Sequence, residues 1–259
     1  LNVLYSVCDF ISRVNLGLEG RVCVVTGGTR GIGAATARML SQEGARVLTV
    51  ARSGAELELD VTSPDASERV LAACPGPPWA LVNNAGISQA RSLDELTDAD
   101  WQAQWELHVM APMRLMRAVA PVMAEAGGGR IVNVSSSSGK RPSGRLDACY
   151  SVTKAAELSL SRVFADRFAA RGVLVNAVAP GAVEAELWTE PGGLADQIAT
   201  RSGKTRDEVL QATRAGPPLG RMGTAEEIAA AIVFLCSQQA SDVSGAAWSV
   251  DGGTVPVIL

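Results

Sequence analysis

The sequence predicts an α/β protein, one domain built on a doubly wound parallel sheet. From Gly20 onward, short β-branched runs alternate with longer stretches of helical periodicity, as in a parallel sheet with helices on both faces. A glycine-rich turn, Thr26-Gly27-Gly28-Thr29-Arg30-Gly31-Ile32-Gly33, falls between the first such strand and the first such helix. The 259 residues are 47% apolar, enough for one large core.

Residues 21–26 read as a buried strand that enters the glycine turn. Ile32 to Gly44 reads as a helix, apolar at Ile32, Ala35, Met39 and Leu40 and closed by Gly44. Residues 46–51 form the second strand and 56–59 a short third, ending at Asp60. Between Arg52 and Glu56 there is no room for a crossover helix, which needs a dozen or so residues. An extended strap of that length reaches roughly 17 Å, at ~3.4 Å per residue, and can cross to the next strand. Residues 79–83 are a fourth strand, and a long helix is expected over about 98–124, interrupted near Pro112. Residues 130–135 are the fifth strand, about 148–171 a helix, and 173–178 the sixth strand. After Pro180-Gly181 a less regular region is expected to about 218, then a helix over 224–237 and a last strand over 245–250.

The net charge of −4 is mild and no basic block stands out, which argues against nucleic acid as a main partner. The five cysteines are scattered without a Cys-x-x-Cys pair, and His108 is the one histidine. That argues against structural zinc and a disulfide framework, and reduced thiols suit a cytoplasmic setting. Residues 1–17 read as an extension outside the fold, with a packing arm as the alternative, and 18–259 as the domain. The apolar run at the start is too short to span a membrane and lacks the basic flank of a signal peptide.

In Tyr150-Ser151-Val152-Thr153-Lys154, Tyr150 and Lys154 are four apart and share a helix face. An ammonium beside a phenol favours the phenolate, so the pair can give or take a proton nearer neutrality than a free tyrosine. In the glycine turn, free N–H groups at a helix N-terminus favour a pyrophosphate. Gly27 permits the tight turn, Gly31 lets backbone approach phosphate, and Gly33 lets helix and strand pack closely. The acidic residue expected about 20 residues on, which would hold a ribose 2′-hydroxyl, is replaced by Ala51 and Arg52. Arginine attracts a 2′-phosphate, and Arg30 approaches from the other side. NADP(H) is therefore the expected cofactor, with NAD(H) the alternative.

Taken together, over roughly residues 18–253, the chain resembles the short-chain dehydrogenase/reductase family. The motifs are Thr26-Gly27-x-x-x-Gly31-x-Gly33, Asp60-Val61, Asn83-Asn84-Ala85-Gly86, the serines after Asn133, Tyr150-x-x-x-Lys154, Pro180-Gly181 and Val250-Asp251-Gly252-Gly253. Pro218-Leu219-Gly220-Arg221 adds a 3-oxoacyl-thioester (acyl-carrier-protein) reductase flavour. The resemblance implies a single Rossmann-like sheet of about seven strands, a nicotinamide cofactor and hydride transfer at a carbonyl or carbinol carbon. It implies that Thr29, Ile32, Ala85 and Gly86 line the cofactor site beside the turn glycines. Asp60 and Val61 would hold the adenine, Asn83 the adenosine side, Lys154 the nicotinamide ribose, and Pro180, Gly181 and Val183 the nicotinamide end. Asn84 reads as structural.

Tyr150 would then be the acid/base, Lys154 its partner, and a serine the donor to the carbonyl oxygen. Counting back from Gly139 selects Ser136, whereas counting back from Tyr150 selects Ser137. Ser136 is chosen because the strand before it has fixed length and loops absorb insertions. Two positions depart from the family. His108 stands where an asparagine normally holds a proton-relay water. It reads either as a relay group that titrates near physiological pH or as a buried histidine satisfied by backbone. Ala185, between Glu184 and Glu186, stands where a threonine often contacts the carboxamide.

Residues 186–218 would cap a small-molecule carbonyl or alcohol. Trp188 reads equally as pocket wall or as a core or interface residue. The alanine-rich helices suit close packing, and the resemblance implies a homodimer or homotetramer, with Val255 to Leu259 as a further contact. The leading expectation is a carbonyl reductase. The alternatives are a sugar, steroid or other alcohol dehydrogenase working oxidatively, and a non-catalytic NADP(H)-binding regulator.

Overall fold

The computed structural model describes residues 15–142 and 147–256. Seven strands form one sheet: β1 (Val22–Thr26), β2 (Arg46–Ala51), β3 (Leu57–Glu58), β4 (Ala80–Asn83), β5 (Gly129–Val134), β6 (Val173–Pro180) and β7 (Ala247–Val250). Their order is β3-β2-β1-β4-β5-β6-β7, and every pairing is parallel. β1, β4 and β5 are buried at every position, with no alternation of buried and exposed residues, and Asn83, Arg130 and Asn133 are buried polar members of them. The strap is present: Val50 and Ala51 pair with Leu57 and Glu58 across a connection with no helix.

Helices cover both faces. On one lie α1 (Gly31–Gln42) and α10 (Ala225–Cys236), whose Leu40, Ile228, Ile232 and Leu235 pack with Val25, Val82 and Val132. On the other lie α2 (Ala66–Ala73), α4 (Ala111–Glu125) and α6 (Ala148–Phe168), bringing Val70, Leu115, Met116, Met123 and Phe168 onto Val24, Leu81 and Ile131. Each such side chain contributes about 1.5–3 kcal/mol by leaving water. Leu18 belongs to the first core. Asn15 and Leu16 of the expected extension accept hydrogen bonds from the Gln239 side chain (2.7 Å) and the Gln238 backbone (2.9 Å). Residues 1–14 and 257–259, where the rest of the extension and the end of the apolar tail fall, lie outside the described residues.

Several expectations are corrected. The long helix does change near Pro112, by a π-helical turn rather than a break. It runs as α3 (Asp98–Trp105), one π-helical turn over Glu106–Met110, and α4. Pro112 lies inside this continuous helical run, two residues past the π-turn, where its missing N–H removes one helical hydrogen bond. The region to 218 is largely helical: α7 (Glu186–Thr189), α8 (Leu194–Ser202) and α9 (Arg206–Ala215). α2 and the short α5 (Ser137–Lys140) were not anticipated.

Because all strands run the same way, Thr26, Ala51, Asn83, Val134 and Pro180 end on one edge of the sheet. The strand order reverses between β1 and β4, and the crevice outside the carboxyl ends of parallel strands at such a switch point is where ligands sit.

Candidate active site

A cleft of about 1240 Å³ runs along that edge. At one end it is lined by the turn residues Gly27, Thr29, Arg30, Gly31 and Ile32, with Arg52, Asp60 and Val61 beyond them. Ala85 and Gly86 form its middle, and Ser136, Tyr150 and Lys154 stand opposite Pro180, Gly181 and Val183 at the far end.

Gly27 has φ +63°, a left-handed conformation that suits glycine, and its N–H donates to Val50 O at 2.7 Å. Asn84 braces the turn: its side-chain amide donates to Thr26 O (3.0 Å) and Gly27 O (3.1 Å). A β-carbon on Gly33 would overlap the Gly27 carbonyl. Gly33 therefore acts by packing α1 onto the turn and does not line the cleft. Asn83 corrects an expectation. It is 3% exposed, donates to Asn133 Oδ1 at 2.8 Å inside the sheet, and lies away from the cleft lining.

Asp60 Oδ1 accepts from the Thr62 N–H (2.9 Å) and Thr62 Oγ1 (2.7 Å). Those bonds, with Arg52 contributing less, hold its carboxyl below the usual range. Arg52 is exposed at the cleft and makes no ion pair among the described residues. Arg30, by contrast, is paired with Glu190 just past α7, at 3.1 Å. The residues present fit a dinucleotide: a braced glycine cradle, a carboxylate oriented beyond it, and a cleft that continues to Tyr150.

At the far end Asp147 caps α6. Its carboxylate accepts from the Tyr150 N–H (3.0 Å), the Gln89 N–H (3.2 Å) and the Gln104 side chain (2.6 Å). One buried carboxylate thus ties α6, α3 and the loop after β4 together directly before Tyr150. Ser135 donates to Lys154 O at 2.8 Å, so its proton is committed. Ser136 Oγ instead accepts from the Ser138 N–H at 3.1 Å, which leaves its own proton free for the cleft. Ser137 and Ser138 also border the cleft, as part of α5.

The π-helical turn carries His108, which is fully buried and stands edge-on to Tyr150 with ring centroids 5.5 Å apart. Its Nε2 accepts from the Ile87 N–H at 3.1 Å, and its Nδ1 lies 2.9 Å from Thr153 Oγ1. These partners fit a neutral ring with its proton on Nδ1. Burial, helped by the Lys154 charge, pushes its pKa well below the ordinary value. Of the two readings of His108, this burial and the Ile87 N–H fit the buried histidine satisfied by backbone.

The family profile described as Enoyl-(Acyl carrier protein) reductase matches residues 27–255. A 3-oxoacyl-[acyl-carrier-protein] reductase, FabG, of Vibrio cholerae is 35% identical over 255 residues, covering 92% of this chain and 98% of its own. The chain belongs to the short-chain dehydrogenase/reductase family. It is an oxidoreductase of the FabG-like branch. A sorbitol dehydrogenase of Cereibacter sphaeroides is 33% identical over 91% of this chain and 98% of its own. Among solved structures, L-sorbose reductase from Gluconobacter frateurii, complexed with NADPH and L-sorbose, superposes with a TM-score of 0.85 at 32% identity, over 94% of this chain and all of its own.

Within this short-chain dehydrogenase/reductase, Ala185 lines the cleft with Glu186, whose carboxylate faces Gly31, while Glu184 pairs outward with Arg214. Sequence reasoning missed two residues. Asp147 was legible as an acidic residue three before Tyr150, an N-cap spacing. Glu157 was not legible. Its carboxylate is buried beneath the cleft and pairs with Lys154 Nζ at 2.9 Å. Burial pushes its pKa up to about 7, against the pull of Lys154. Trp188 is pocket wall, beside Leu187, Leu194 and Ile198. Among the described residues no helix is long and apolar enough to cross a membrane.

Proposed function

We propose that this chain is an NADP(H)-dependent reductase of a small carbonyl compound, with 3-oxoacyl thioesters as the first substrate class to test. The observation that carries the reading is one continuous cleft with Arg52 and Asp60 at one end and Ser136, Tyr150 and Lys154 at the other. Arg52, exposed and free of an ion pair among the described residues, suits a 2′-phosphate, which a carboxylate there would repel. NADPH when bound supplies a hydride. The chain's own groups handle the oxygen. Ser136 donates to the carbonyl oxygen and stabilises the charge that grows there. Tyr150 delivers the proton to the same oxygen. Lys154 has three N–H donors; Val134 O (2.7 Å) and Glu157 (2.9 Å) take two, leaving one for a ribose hydroxyl in the cleft. Val183 and Pro180 flank the nicotinamide end.

A second reading, interconversion of a sugar alcohol and its ketose, draws on the relatives named for sorbitol and L-sorbose and on the polar Ser202, Lys204 and Thr213 in the cleft wall. Exposed Trp105, Val152 and Val163, on α3 and α6, support a homodimer or homotetramer, and free Cys23, Cys74, Cys149 and Cys236 suit a cytoplasmic setting. The test is NADPH and NADH oxidation over a panel of 3-oxoacyl thioesters and ketoses, with NADP⁺ reduction by polyols. Turnover with a thioester and NADPH supports the first reading, and turnover confined to ketoses and polyols the second. Tight NADPH binding with no turnover on any of them makes the chain a regulator.

A further inference from the structure

Glu157 has no part in the scheme above, yet it sits directly under the reacting groups. Its side chain is 2% exposed and that of Lys154 3% exposed, and the two meet at 2.9 Å. They are three apart on α6, so the helix itself presents both to the underside of the cleft. A buried ion pair is costly to desolvate, and an apolar side chain of similar volume commonly serves stability as well or better. α6 has apolar neighbours at hand, since Phe168 and Ala165 further along the same helix join the core. Packing alone therefore does not account for a carboxylate at this position.

We propose that Glu157 is a positioning residue for the reaction: its carboxylate holds the Lys154 ammonium at the cleft floor and draws part of that charge away from Tyr150. This rests on the reading of Tyr150 and Lys154 as the acid/base pair. The geometry defines the hold from two sides. Val134 O, at the end of β5, takes one ammonium hydrogen at 2.7 Å, and Glu157 takes another. The ammonium is thereby fixed 5.9 Å from the centroid of the Tyr150 ring. Gly86 borders the same ammonium: a β-carbon there would stand 3.7 Å from Nζ and 3.4 Å from His108 Nε2, in ordinary contact with both.

The surroundings isolate the pair. β5 offers the Val134 carbonyl and neutral Asn133, whose amide donates to Ser161 Oγ at 2.8 Å. The π-helical turn offers His108, held neutral by burial. Among the described residues, Lys154 is the one charged group that acts on Glu157. With Glu157 ionised, a negative charge sits against the ammonium and weakens its pull on the phenolate. With Glu157 neutral, the full lysine charge acts on Tyr150. Burial pushes the carboxyl's pKa up to about 7, so the balance shifts near neutral pH. The two groups titrate as a coupled pair.

The chain has two tyrosines, Tyr5 and Tyr150, so Tyr5→Phe leaves Tyr150 as the only phenol. In that background, near-ultraviolet difference absorbance titrates the Tyr150 phenolate without any substrate. Glu157→Gln, close to the native shape, is expected to move phenolate formation to lower pH by roughly half a unit or more. The pH limb of kcat/KM should move in the same direction. A phenolate titration unchanged in a folded Glu157→Gln protein overturns the proposal. If that variant does not fold, Glu157→Asp, which retracts the carboxylate by one methylene, should give a smaller shift of the same sign, and no shift there overturns it equally. A shifted titration with no turnover on any carbonyl leaves the role of Glu157 standing and removes the reductase reading instead.

Discussion

His108 Nε2 accepts a hydrogen bond from the Ile87 backbone N–H at 3.1 Å. That contact uses the lone pair a relay water would need and fixes the ring in one neutral tautomer, with its proton directed at Thr153. The histidine therefore ties the loop after β4 to α6.

It follows that His108→Asn should leave the pH profile unchanged between about pH 6 and pH 8, because no ionisation is removed. His108→Phe leaves the Ile87 N–H without its acceptor and should cost about 1–3 kcal/mol, read by urea denaturation. A profile that moves with His108→Asn contradicts the neutral assignment.

Gly33→Ala places a methyl group against the Gly27 carbonyl and the Asn84 amide. α1 must then shift from the turn it supports. A stability loss of about 1–3 kcal/mol is expected, with NADPH affinity lowered at least tenfold by fluorescence titration. Native affinity in this variant contradicts the close packing.

Arg52→Ala should raise the KM for NADPH roughly tenfold or more and leave that for NADH nearly unchanged, since a charge-assisted bond contributes about 1.5–3 kcal/mol. Arg30→Ala should do less, because Arg30 is already paired with Glu190. Equal losses with both cofactors contradict the 2′-phosphate assignment.

Glu157 also sets a slope of stability with pH. Its pKa rises from 4.5 in the ordinary state to about 7 in the fold. The folded state thus binds more protons between those values, so the contribution is full below 4.5 and is lost as pH rises through about 7. Thermal melts of wild type and Glu157→Gln across this window should differ in slope, with wild type falling more steeply towards neutrality. Parallel curves contradict the raised titration.

Much of this was legible in the sequence because it is local. β-branched runs, the glycine turn and the five-residue strap each follow from neighbours in the chain. Tyr150 and Lys154 are read from helix spacing set beside the glycine turn and the serines after Asn133. What was missed depends on partners distant in sequence. α2 is short, with only Ala66 and Val70 buried, so its apolar face is too sparse to stand out. α9 is polar, but its Thr205-x-x-Glu208 capping box was a visible start signal. Glu157 resembles any polar helix residue until the strand ending at Val134 closes over it. Asn83 was assigned to the cofactor by its motif, yet pairing within the sheet turns it inward.

The central claim is that Tyr150 moves the proton in a cleft that also holds NADPH. Its most direct test is Tyr150→Phe, measured for NADPH binding by fluorescence and for carbonyl reduction by NADPH oxidation. Unchanged binding with kcat lowered by roughly 10²–10⁴ is the predicted result. Turnover near the wild-type rate contradicts the account.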